Sequence, residues 1–142
     1  MHTSKKLSIA LWIVQGLLAA VFMFAGGMKL VLPLEMLKGP VALPGAFIRF
    51  IGVAEVFGAI GLIVPGVTHI RTYLTPLAAV GLVTIMSGAT TITVEGGQLA
   101  PALVPLIVGT LATTVVFGRR GWAPERLSIA GWGGDVRRTS RA

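Results

Sequence analysis

Charged residues punctuate this chain at nearly even intervals, and the stretches between them are apolar. Lys6 and Lys29 enclose 22 uncharged residues, Arg71 and Glu95 enclose 23, and Glu95 and Arg119 enclose 23. Each run is close to the roughly 20 residues that an α-helix needs to cross a bilayer. A fourth interval, from Arg49 to Arg71, is of similar length but contains Glu55 and, at its edge, His69. The runs are continuous rather than alternating, which argues against spanning β-strands, and a segment in lipid must satisfy its own backbone hydrogen bonds. The pattern predicts an all-α fold, an integral membrane four-helix bundle. Its helices cover residues 7–32, 46–64, 73–94 and 99–118 of one domain spanning residues 1–118. Pro33 stops the first helix and Pro65-Gly66 the second, while Pro76, Pro101 and Pro105 fall near helix starts, where a missing N–H costs least.

Composition agrees with this reading. Apolar residues make up 54% and charged residues 12%, with a mean hydropathy of +0.86, whereas a soluble domain carries about 25% charged residues. The basic residues set the orientation. With both termini cytoplasmic, the inner segments hold Lys5, Lys6, Arg71 and the six arginines from Arg119 to Arg141, which is 9 of the 12 Lys and Arg residues. Lys29, Lys38 and Arg49 remain outside, as the positive-inside rule requires. The net charge of +7 therefore reads as topology. Residues 119–142 form a basic cytoplasmic tail suited to anionic lipid, not a nucleic-acid arm. The N-terminal run is longer than the core of a secretory signal and is read as a retained helix.

Glu55 is the residue whose position asks for an explanation. Nine residues into the second helix, it lies about 13 Å deep, near the centre of a hydrocarbon layer roughly 30 Å thick. A lone charge there costs about 2.5 to 3.5 kcal/mol. Lys29, followed by Leu30, Val31, Leu32, Pro33 and Leu34, is sunk in the same half of the membrane and is the expected counter-ion. At 100° per residue, Gly52, Gly58 and Ala59 share the side of the helix that carries Glu55. Such small residues admit a close neighbour, expected to be the first helix at Gly26 and Gly27. Arg49 is turned by about 120° at that helical spacing and is the poorer partner.

Two segments carry a family likeness. Phe22-Met23-Phe24-Ala25-Gly26-Gly27-Met28-Lys29-Leu30 closes the first helix. The second follows the pattern G-x-x-E-x-x-G-A-x-G-L-x-x-P from Gly52 to Pro65. Together they resemble the DoxX-like family of small four-helix membrane proteins, with residues 10–118 similar in layout. The resemblance implies a multi-pass bacterial membrane protein, some of whose relatives are described as parts of membrane oxidoreductase or quinone-linked complexes. It also puts Lys29 and Glu55 on the family's characteristic charged positions. The chain departs from the pattern near the end of the third helix, where many relatives carry a histidine or a further charge and this sequence has Ala89, Thr90, Thr91 and Thr93. That departure weighs against transferring proton or redox chemistry.

The remaining polar residues suggest a pocket and limit the chemistry. Thr84, Ser87 and Thr91 share a face of the third helix. With Gly52, Gly58 and Ala59 they are the candidate lining of a cavity opening toward Glu55, unless they only satisfy backbone carbonyls. The chain has no Cys and two His, so no thiol, iron–sulfur or bis-histidine haem chemistry is expected within it, and no catalytic or metal site is assigned. The expected role is an accessory subunit of a cell-membrane complex that binds a protein partner or a lipid-like molecule such as a quinone. A small proton-coupled transporter using Glu55 is the alternative. The expected partners are the lipid bilayer and other membrane subunits or a second copy of the chain.

Overall fold

A computed structural model describes residues 5–39 and 41–122. The expected basic tail beyond Trp122 and His2 lie outside the described residues. Four helices run in order: α1 Lys5–Val31, α2 Gly45–Thr68, α3 Leu74–Glu95 and α4 Leu99–Gly118. Among the described residues there is no strand. The shortest helix has 20 residues, which at 1.5 Å each gives about 30 Å, one hydrocarbon thickness.

Helices adjacent in the chain are neighbours in space, and α4 returns to α1, closing a ring of four. Their contacts run antiparallel: Lys29 meets Glu55 near one end, and Gln15 meets Leu62 toward the other. Between α2 and α3, Gly58 lies against Leu82 and Gly61 against Ala78. The first residue of α1 and the last of α4 therefore sit at one end of the bundle, called here the Gln15 end. The α1–α2 and α3–α4 connections sit at the other, the Lys29 end.

The core stacks large residues against small ones. Leu18, Phe22, Leu62, Leu82 and Val115 interleave with Ala59, Ala79 and Ala112. Most of each helix faces outward instead. No more than 28% of any span's apolar window is buried within the bundle, and Phe24, Phe57, Val31 and Leu99 are among many large apolar residues left exposed. An exposed apolar surface of this extent is incompatible with water and matches a bilayer. The four helices are long and apolar enough to cross one.

Two boundaries differ from the sequence expectation. The helix α2 runs through Pro65 to Thr68 instead of stopping at it. Proline removes one donor, the bond to the carbonyl of Gly61, and buried surroundings tolerate that loss. The helix ends where His69 adopts a left-handed conformation with φ 56°, a common device for terminating a helix. The connection from α1 to α2 is not wholly irregular either, since Leu34–Leu37 form one 3-10 turn.

Candidate functional site

The Lys29–Glu55 pair rests on a close helix crossing. A Cβ on Gly26 would stand 2.7 Å from the carbonyl oxygen of Gly52, and one on Gly52 would stand 2.9 Å from the Cβ of Lys29. Only glycine lets the two backbones come this near. Gly27, by contrast, has nothing within 4 Å and plays no part in the contact. The approach brings Lys29 Nζ to 2.8 Å from Glu55 Oε2. The two partners are unequally enclosed: the Glu55 side chain is 2% exposed and that of Lys29 28%. The carboxylate is thus interior, and the ammonium is its outward-facing cap.

Arg49 has a task that its position in the sequence does not announce. It donates to the carbonyls of Lys29 and of Leu32, the latter at 2.8 Å. Its target has a covalent cause. The carbonyl of Lys29 would ordinarily accept from the N–H of residue 33, but Pro33 has none. Arg49 supplies the missing donor from the next helix and puts a cation at the negative end of the α1 dipole. The proline four residues after Lys29 is the available signal.

A second polar cluster lies toward the Gln15 end. Gln15 is fully buried; its Nε2 donates to the carbonyl of Leu62 at 2.7 Å, and its Oε1 accepts from Arg119 Nε at 2.7 Å. Arg119 is 5% exposed, and its guanidinium stacks 5.2 Å from the ring centre of Trp12. Burial pushes its pKa below the usual value, yet an arginine remains cationic at physiological pH. The amide thus ties α1 both to α2 and to the end of α4. By sequence alone Arg119 is only a topology charge, and Gln15 draws no notice because one amide barely interrupts an apolar run. At the start of α3, Thr75 is fully buried and its hydroxyl has no hydrogen-bond partner among the described residues.

The expected pocket residues do not gather around Glu55. Gly52 supports the α1–α2 crossing, Ala59 is in the core, and Gly58 faces Leu82 of α3, not α1. An apolar groove between α2 and α3 includes Gly58, Gly61 and Pro65. Ser87 and Thr91 line a different groove, between α3 and α4. Thr84 is exposed and bonded to the carbonyl of Val80. Among the described residues, no three His, Cys, Asp or Glu side chains come within reach of one metal ion.

No curated protein and no solved structure matches the chain. The profile of the DoxX-like family matches residues 13–115, a span that takes in α2 and α3 whole, most of α1 and α4, both glycines of the crossing and the Lys29–Glu55 pair. The chain is a multi-pass membrane protein and belongs to the DoxX-like family.

Proposed function

We propose that this protein is a non-enzymatic subunit of a cell-membrane complex that holds a lipid-like, carbonyl-bearing molecule such as a quinone beside Lys29. The observation that carries this reading is the unequal enclosure of the pair, 2% exposure for Glu55 against 28% for Lys29. Glu55 fixes the ammonium and offsets its charge, which lowers the cost of keeping a lysine at this depth. One N–H of the ammonium goes to Glu55; an ammonium has three. A carbonyl oxygen arriving from the lipid side is a suitable acceptor for another. Lys29 is also held by its own backbone, since Arg49 fastens the carbonyls at the end of α1. A donor fixed in this way is suited to binding and orienting a ligand.

The test is purification in mild detergent, followed by mass spectrometry of the quinone, lipid and protein that accompany the chain. Lys29→Met is expected to lose the lipid-like ligand, while Lys38→Met, in the α1–α2 connection, retains it. Identical co-purifying material from wild type and Lys29→Met would overturn the proposal. A pH-driven flux in proteoliposomes that disappears in Glu55→Gln would replace it with the proton-coupled transporter.

A further inference from the structure

On the face of the bundle opposite the Lys29–Glu55 crossing, α3 and α4 enclose a groove of about 560 Å3. It is unlike the α2–α3 groove, whose lining is apolar apart from backbone. Five hydroxyls line it, those of Ser87, Thr90, Thr91, Thr110 and Thr113, and Glu95 lies at its Lys29 end. Each hydroxyl donates to the carbonyl four residues back in its own helix, at 2.8 to 3.0 Å. Their protons are therefore spent on backbone, and what each oxygen offers the groove is lone pairs. None of the side chains lining it carries an N–H group. Glu95 is exposed and forms no ion pair with any described residue. The groove is thus rich in acceptors, poor in donors, and negative at one end.

We infer that this groove binds an amphiphile with a primary ammonium head, the head at Glu95 and the chain lying between α3 and α4. The ammonium matches the Glu95 end of the groove in both respects: it carries three donors and no acceptor, which suits the Thr91 hydroxyl oxygen one turn from Glu95, and its charge is opposite to that of the carboxylate. A fatty acid of the same length shares the chain but meets the carboxylate with a like charge. This site is independent of Lys29, at the same end of the bundle but on the opposite pair of helices, so either can fail without the other.

The experiment uses the full chain in phosphatidylcholine nanodiscs with two photoreactive probes of equal length, a long-chain primary amine and a fatty acid. Labelled residues are located by mass spectrometry. The amine is expected to label residues 83–113 about five times more than the acid, the contrast that a partly exposed charge contact provides. Glu95→Gln should abolish most of that preference and Glu95→Asp should keep it. The Thr91→Val variant, close in shape to wild type and one turn from Glu95, should weaken amine labelling while leaving labelling by the acid unchanged. Equal labelling by the two probes, or a preference that survives Glu95→Gln, would overturn the inference. So would labelling blocked by a second copy, seen as crosslinks joining this face of two chains.

Discussion

Replacing Lys29 by Met removes the ammonium but leaves the Glu55 carboxylate in place, 2% exposed and enclosed by the α1–α2 crossing. A buried charge stripped of its partner costs about 3 kcal/mol. The reverse change is milder. In Glu55→Gln the surviving charge is an ammonium on a flexible stem, already 28% exposed, which can turn toward the interface at a cost of about 1 kcal/mol. With both charges gone, Lys29→Met with Glu55→Gln should cost about 1.5 kcal/mol, well under the sum of the single changes, which gives a coupling of about 2.5 kcal/mol. The assay is SDS-induced unfolding in bicelles followed by far-UV circular dichroism, applied to wild type and the three variants. If Glu55→Gln proves as damaging as Lys29→Met, or the two effects add to within about 0.5 kcal/mol, the unequal burial of the pair does not govern its energetics.

The same unfolding measurement checks three further outcomes. Arg49→Met should cost about 2 kcal/mol by leaving the carbonyl of Lys29 without a donor, and much less in a Pro33→Ala background, where residue 33 recovers an N–H for that carbonyl; equal costs in both backgrounds would refute the capping role. Gly26→Ala should lose about 2 kcal/mol, because its Cβ meets the Gly52 carbonyl, whereas Gly27→Ala should be neutral or gain up to about 1 kcal/mol from helix propensity. Gln15→Leu should cost about 2 kcal/mol by removing the amide that joins Arg119 to Leu62; an unchanged midpoint would show that the amide link adds nothing to stability.

Much of this architecture is legible in the sequence because charge is excluded from lipid. The intervals between charges locate four spans to within a few residues, and their shared depth is enough to join Lys29 to Glu55. Facing is harder to read. In a soluble helix, polarity marks the outside. Here the lipid side and the core side are equally apolar, so sequence does not tell that Gly58 faces α3, or that Ser87 and Thr91 line a groove away from Glu55. Backbone accounting explains the other differences. Arg49 answers an orphaned carbonyl, and such a need is visible only when each N–H and C=O is followed through Pro33. The continuation of α2 past Pro65 reflects the opposite case, where a missing donor is tolerated by its surroundings.

The two polar contacts of α1 also differ in when they become available. Lys29 and Glu55 are 26 residues apart, so they can meet once the second helix has left the ribosome. Gln15 waits for Arg119, 104 residues later, which at synthesis rates of 5–20 residues per second is about 5 to 20 s. During that interval an amide destined for the interior is already in the membrane without the donor that its oxygen finally accepts from. The first helix hairpin is thus assembled early, and the ring is fastened only when synthesis passes the end of α4. A chain cut short at residue 118 would insert all four helices and still lack the clasp that joins the last to the first.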